Sequence, residues 1–365
     1  MSEPLRIVIC GLSVTSSWGN GHATNFRALM RALTERGHDV LFLERDKPWY
    51  AEHRDLPDPP WGRTSLYSSL DELEEVHAEA VREADLVVVG SYVPDGVAVG
   101  GWVQATTRGI PAFYDIDTPI TLAKLARGDH EYLAPELVPG YELYLSFTGG
   151  PTLERIEREF GAPRAVGFHC LVDPEQYQPV ADAARRWDLG YLGTYSDDRQ
   201  PALERLLLEP ARRRPDLRMV VAGPGYPDDI SWPANVERIE HLAPAHHPAF
   251  YAAQRLTLNV TRADMVRAGW SPSVRLFEAA ACAVPVVSDR WEGLDSFFVP
   301  GEEIFLADGA DDVLDILDEL DDQNRQAVGD RARRRVVAEH TAAHRARQLE
   351  DAVGDLLPDL LGARQ

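Results

Sequence analysis

Residues 271–289 read SPSVRLFEAAACAVPVVSD. Ser271, Pro272 and Ser273 are loop and helix-start chemistry, because serine caps free N–H groups and proline suits a first turn. Residues 274–283 are rich in Ala and Leu-type side chains and hold no Gly or Pro, so the stretch predicts a helix. Residues 284–287 are a Val-rich run closed by Ser288 and Asp289, the pattern of a buried parallel strand. A helix start carries unpaired N–H groups and a partial positive charge, which suits an anion. Arg275 falls in the first turn, where a guanidinium grips phosphate in bidentate fashion. Glu278 follows three residues later on nearly the same face. A cation beside a carboxylate suits a diphosphate next to a ribose. An amphipathic helix with one surface ion pair fits the same pattern, and the residues alone leave both readings open.

Outward from this stretch the chain alternates strands with helices. Residues 6–10 are a β-branched run, and a loop rich in Ser and Gly occupies 13–21. Residues 22–36 show helical periodicity through Phe26, Leu29, Met30 and Leu33, and Gly37 stops the helix. Further strands are expected at 40–43, 86–89, 111–114 and 143–147. A Gly149-Gly150-Pro151 turn then opens a helix that runs to Phe160. After a loop at 170–179 the same grammar returns, with strands at 188–193, 218–223, 236–239 and 256–260. A helix is expected over 201–213, and two more over 310–321 and 331–357. Strands alternating with helices predict parallel sheets covered on both faces. The fold class is α/β, with two Rossmann-like doubly wound domains facing a cleft, one at 1–170 and one from 171.

Composition narrows the function. The 365 residues exceed what one core usually spans, which fits two domains. The net charge of −22 argues against a nucleic-acid partner, which needs a basic footprint. The basic clusters at 212–214 and 331–335 read as helix ends or solvated faces. Cys10, Cys170 and Cys282 are far apart and lack ligand spacing, so each reads as a small buried hydrophobe rather than a metal ligand or disulfide partner. The apolar run Ile7 to Leu12 is too short for a signal-peptide core, and no spanning segment follows, which places the protein in the cytosol.

The opening stretch resembles the donor-binding segment of GT-B glycosyltransferases, especially family four, whose pattern is roughly E-G-F-G-x-x-x-x-E-A-M-A-x-G-x-P-V-V. Glu278 matches the second Glu of that pattern, followed by Ala-Ala-Ala-Cys-Ala-Val-Pro-Val-Val. The first Glu falls on Trp270, where this chain departs. The form Ser-Pro-Ser-Val-Arg-Leu-Phe-Glu-Ala is more similar to the CgeB-like (spore maturation protein) branch. The segment from Gly167 through Asp173-Pro174 to Tyr177 and Pro179 resembles the interdomain segment of family four. The resemblance implies a GT-B architecture with an acceptor-side domain at 1–170 and a nucleotide-sugar domain at 171–340. It also implies a C-terminal helix, 341–365, that crosses back to the first domain.

Within open parallel sheets, ligands sit beyond the carboxyl ends of strands. Two loops of the first domain fall there. One holds Trp18-Gly19-Asn20-Gly21-His22, whose glycines let backbone approach a ligand closely. Gly21-His22, with the helix and Arg36-Gly37-His38 beyond, resembles the start of family-one GT-B enzymes, in which the matching His is the general base. Histidine suits that work because its pKa lies near neutrality. The other loop holds Asp115 and Asp117, and Asp117 is the candidate to orient His22. The plainer alternatives are a helix-start His22 bonded to backbone and an Asp117 that caps the next helix. In the second domain Arg199 falls near the basic donor position of family four. Arg262 is a secondary phosphate candidate, and Gly223-Pro224-Gly225 resembles the turn near the nucleobase. Donor binding is thus expected of Arg199, Gly223, Arg262, Ser271, Ser273, Arg275 and Glu278. His22 and Asp117 are the expected catalytic pair, with Gly19, Asn20, Gly21 and Asp115 lining the acceptor side. No metal or cofactor is called for, since Arg and a helix dipole can offset diphosphate charge. The expected function is transfer of a sugar from a nucleoside-diphosphate sugar to an acceptor hydroxyl, with retention or inversion left open. The alternatives are a GT-B sugar-nucleotide epimerase and a non-catalytic carbohydrate- or nucleotide-binding protein of surface or spore-layer assembly.

Overall fold

The computed structural model describes residues 4–363, which divide into two compact units. The first runs to Leu171 and takes in the chain from Ala342 onward. The second is Val172–Thr341.

The first unit is built on β1 (Arg6–Gly11), β2 (Asp39–Arg45), β3 (Arg63–Tyr67), β4 (Leu86–Gly90), β5 (Ile110–Asp115), β6 (Leu143–Ser146) and β7 (Ala165–Gly167). These pair in parallel in the order 3-2-1-4-5-6-7. The Val and Ile runs of β1 and β4 are buried on both faces, as central strands of a parallel sheet must be. The order reverses between β1 and β4, so the loops that follow these two strands diverge and leave a crevice at their carboxyl ends. The second unit holds β8 (Trp187–Leu192), β9 (Met219–Ala222), β10 (Val236–Ile239), β11 (Gln254–Asn259), β12 (Val286–Ser288) and β13 (Phe305–Leu306). All pair in parallel in the order 10-9-8-11-12-13, with the reversal between β8 and β11. Both units are therefore Rossmann-like and doubly wound.

Three strands escape the sequence reading: β3, β7 and β13. All lie at sheet edges or are two or three residues long, and half-exposed strands lack the apolar run that marks a central one. The helix expected over 201–213 is continuous only from Gln200 to Leu203. It then passes through a π turn, Glu204–Leu208, and resumes at Glu209–Arg213. Pro210 has no N–H and its ring crowds the preceding carbonyls, which accounts for the wider turn. The helix expected over 331–357 is two helices, Asp322–Glu339 and Ala342–Ala363. The break falls where the His340 ring stacks on Phe277 at 4.6 Å and Val172 N–H donates to the His340 carbonyl.

The last helix is held in the first unit by Glu350. Its carboxylate accepts two bonds from Arg36 and stands 2.7 Å from His38 Nε2. His38 Nδ1 accepts from Leu5 N–H at 3.0 Å, so the Nε2 proton faces Glu350. The Arg36 bonds come first in holding the Glu350 carboxyl down from 4.5 to about 2. The folded value lies below the unfolded one, so this stabilisation is present above pH 4.5 and is lost as pH falls from there towards 2. In acid titrations followed by thermal melting, Glu350→Gln should melt lower than the parent at neutral pH. The gap should narrow as pH falls below 4.5 and close only as pH passes below about 2. A constant gap across the range would remove the assignment.

Candidate active site

His22 begins the helix Gly21–Glu35 that follows β1. Asn20 caps that helix by accepting from His22 N–H at 2.9 Å, and Gly19 makes the preceding turn with φ of +59°. Glycine is the residue that adopts this left-handed conformation without cost. Asn20 is itself buried and also donates to the Ser16 carbonyl, so it shapes the loop. The His22 backbone is thus bonded as the plainer alternative requires, yet its ring is directed elsewhere. His22 Nε2 lies 3.6 Å from Asp117 Oδ2. Nδ1 is buried and has no hydrogen-bond partner among the described residues. Asp117 precedes the helix Thr118–Ala126, but its carboxylate makes no capping bond, and this leaves it to face the imidazole. A carboxylate beside Nε2 favours the proton on that nitrogen and the lone pair on Nδ1.

Asp115 does not border an open surface. It ends β5 fully buried, and its oxygens accept from Tyr144 O–H at 2.6 Å and Thr121 O–H at 2.7 Å. Burial pushes its carboxyl up to about 6. This corrects the expectation of an acceptor-side contact, because both oxygens are engaged inside the unit. Tyr92 was not singled out in the sequence. It follows β4 with φ of +63°, a conformation that costs a non-glycine residue on the order of 1–3 kcal/mol. Its ring meets His22 edge-on at 5.6 Å, from the other side of the β1–β4 reversal. The Gly90-Ser91 end of a buried strand was the available signal.

In the second unit, Arg275 enters on the first turn of the helix Val274–Ala281. The side chain is buried, with Nε donating to the Leu192 carbonyl and Nη1 to Asn259 Oδ1 at 3.0 Å. The guanidinium lies 4.6 Å above the Tyr191 ring. Ser273 occupies the N-cap position but makes no side-chain cap. Its hydroxyl donates to Asn259 Oδ1 at 2.7 Å instead. Ser271, fully buried, donates to the Gly269 carbonyl at 2.7 Å. The expected serine caps are therefore absent, and the first-turn N–H groups have no side-chain cap. Asn259 Oδ1 joins Ser273 and Arg275, a convergence that the sequence did not display.

Arg199 follows β8 and donates from Nη1 to the Thr194 carbonyl at 3.2 Å. Arg262 follows β11, and its Nε lies 3.3 Å from Asp198 Oδ2, which offsets its charge. Both stand at the reversal of the second sheet. Gly223 has φ of +142°, and a Cβ there would sit 2.1 Å from the Gly193 carbonyl oxygen. The turns after β8 and β9 therefore meet backbone to backbone. Gly223→Ala should cost more than about 2 kcal/mol and shift the turn that carries Arg199. Thermal melting checks this, and an unchanged melting temperature would contradict the contact.

Glu278 departs most from its expected part. It is buried and accepts from Tyr251 O–H at 3.1 Å, with His247 Nδ1 at 3.7 Å. Burial opposes its charge, but bonds from His247, Tyr177 and Tyr251 outweigh it and hold the carboxyl below the usual range. One oxygen is already committed to internal partners, which narrows what it can offer a ribose. Trp270, where the family-four pattern has its first Glu, takes φ of +42°. A Cβ on Gly293 would lie 2.4 Å from its indole, so the ring packs flat on a glycine.

Among the described residues no group of three His, Cys, Asp or Glu side chains is placed to hold a metal ion. All three cysteines are buried and none forms a disulfide. No helix among the described residues is long and apolar enough to cross a membrane.

Residues 199–351, most of them in the second unit, match the model of a family described as glycosyl transferase-like. No curated protein matches the sequence. Several solved structures share the fold at low identity. Sucrose-phosphate synthase from Thermosynechococcus elongatus aligns with a TM-score of 0.69 and 17% identity over 98% of this chain and 99% of that one. Anabaena HepE in complex with UDP-glucose gives 0.70 and 13% over 96% and 100%. An alpha-glucosyltransferase in complex with UDP-glucose and DNA containing an abasic site gives 0.69 and 12% over 96% and 100%. The chain thus has the GT-B fold of these structures, and its residues 199–351 are similar to the glycosyl transferase-like family.

Proposed function

We propose that this protein transfers a glycosyl group from a nucleoside-diphosphate sugar to an acceptor hydroxyl. The observation that carries the reading is the His22–Asp117 pair, 3.6 Å apart at the carboxyl ends of β1 and β5, in a chain whose residues 199–351 match a glycosyl transferase-like family. The donor diphosphate meets the uncapped first turn of the helix Val274–Ala281, with Arg199 and Arg275 offsetting its charge. His22 takes the acceptor proton as the acceptor oxygen bonds to the sugar C1. The bond from C1 to the diphosphate oxygen breaks, and the nucleoside diphosphate leaves with the electron pair. Asp117 stabilises the imidazolium that forms. No step calls on a metal ion. The net charge of −22 disfavours a nucleic-acid acceptor and leaves a small molecule, glycan or protein. In this reading the protein works in the cytosol. The Ser271–Ala279 form supports the CgeB-like branch.

The packed Trp270 favours a second reading, a non-catalytic binding protein of the same fold. Thermal melting against UDP-glucose and other UDP-, GDP-, ADP- and dTDP-sugars separates the two from any other role. A donor at 100 times its dissociation constant should add about 2.7 kcal/mol to stability. A rise with one sugar nucleotide, followed by its slow hydrolysis to free sugar, supports transfer. A rise without turnover favours the binding protein, and no rise with any member overturns both.

A further inference from the structure

The His22–Asp117 pair sits inside a closed circuit of contacts in the first unit. Asp117 N–H donates to Asp115 Oδ1 at 3.3 Å, and the Asp117 carbonyl accepts from Thr121 N–H at 3.0 Å. The Thr121 hydroxyl donates to the same Asp115 oxygen at 2.7 Å. Its single proton is thereby placed, so the Tyr132 hydroxyl 2.8 Å away is the donor to Thr121. The Tyr132 ring leans on Tyr92 at 4.5 Å, and Tyr92 stands edge-on to His22 at 5.6 Å. The circuit thus returns to the imidazole it began beside. Asp115, Thr121 and Tyr132 are all buried, so none is available to a ligand as a surface group. Tyr144 closes the remaining Asp115 oxygen at 2.6 Å.

We propose that Thr121 and Tyr132 are positioning residues of the His22–Asp117 pair. Through Asp115 they hold the turn that carries Asp117, and through Tyr92 they hold the ring of His22. This rests on reading His22 as the base and Asp117 as its orienting carboxylate. Buried polar networks of this kind fix a single arrangement when every member is satisfied. A base held loosely loses rate even when binding is intact.

The test reads the His22 tautomer from its imidazole nitrogen shifts by NMR on the full chain, with the signal assigned by His22→Gln. It needs no ligand. Tyr132→Phe and Thr121→Val each remove one hydroxyl from the circuit. Tyr67→Phe is the control, since the buried Tyr67 hydroxyl has no hydrogen-bond partner among the described residues. Asp117→Asn sets the scale by removing the orienting charge. Tyr132→Phe and Thr121→Val should each move the shifts by roughly a third or more of the Asp117→Asn change, and Tyr67→Phe by none. On a sugar nucleotide that is turned over, they should lower kcat several-fold with KM held within about twofold. Folded variants with parental His22 shifts would overturn the positioning role. Should Thr121→Val fail to fold, Tyr132→Phe, which loses a single oxygen, decides. An Asp117→Asn variant that leaves His22 unmoved would remove the pair itself, and with it the reading of His22 as a base. A change in Asp117→Asn alone would overturn only the circuit.

Discussion

His22→Ala should lower glycosyl transfer by about 10²–10⁴-fold, the usual contribution of a positioned general base. The melting-temperature rise produced by the donor should be untouched, because His22 lies in the first unit and the donor site is assigned to the second. Asp117→Asn should act in the same direction but more weakly, since it disturbs the tautomer and leaves the imidazole in place. The two together should cost little more than His22→Ala alone, as expected of residues that act as a unit. Initial rates of sugar transfer and donor melting curves, measured on the same preparations, check both parts. A His22→Ala variant that transfers at the parental rate would move the base elsewhere, and one that no longer binds donor would make the residue structural.

The second large effect belongs to Arg275. Arg275→Met keeps much of the side-chain volume and removes the guanidinium. The Leu192 carbonyl and Asn259 Oδ1 each lose a donor, and Tyr191 loses the cation above its ring. Asn259 Oδ1 keeps the Ser273 hydroxyl, so the acceptor penalty of about 1–3 kcal/mol falls on the Leu192 carbonyl, and a desolvated cation–π contact adds about 2. A loss on the order of 3 kcal/mol is expected, which in a unit of this size lowers the melting temperature by roughly 10 °C. Donor stabilisation should disappear as well. Arg275→Lys should rescue neither, because an ammonium cannot reproduce a fork that serves two acceptors at once. Differential scanning calorimetry with and without donor reads both effects. A variant that melts like the parent and still responds to donor would leave Arg275 without the part assigned to it.

The strands most legible in the sequence are the central ones. The runs at β1, β4 and β5 are mostly apolar because both faces of a parallel sheet are covered, and such runs announce themselves without a partner. Edge strands β3, β7 and β13 face solvent on at least one side, so their residues carry no such mark. His22 and Asp117 were found as separate candidates, each at the end of a strand. Their pairing was an expectation that only distance could test, since 95 residues of chain separate positions 22 and 117. Tyr92 was marked only by the strand end before it, and Thr121 and Tyr132 left no trace, because a threonine in a helix and a tyrosine in a loop are ordinary until their partners are known.

Trp270 and Glu278 show the limit from the other side. The sequence marked Trp270 as a departure and Glu278 as a match. Only the structure placed Trp270 flat on Gly293 and turned Glu278 toward Tyr251 and His247.

The sequence by itself determined the alternation of strands and helices and the presence of two α/β units, since hydrophobic period and Gly and Pro punctuation are local properties. It also determined where strand ends carry chemistry-bearing residues. The tertiary structure alone decided which of those ends stand together. Strand order places β1 between β2 and β4, and β8 between β9 and β11, and the reversal there opens a crevice beside His22 in one unit and beside Arg199 and Arg262 in the other. Burial decided the rest. A carboxylate or guanidinium withdrawn from water must find partners inside, and those partners come from strands and helices far away along the chain.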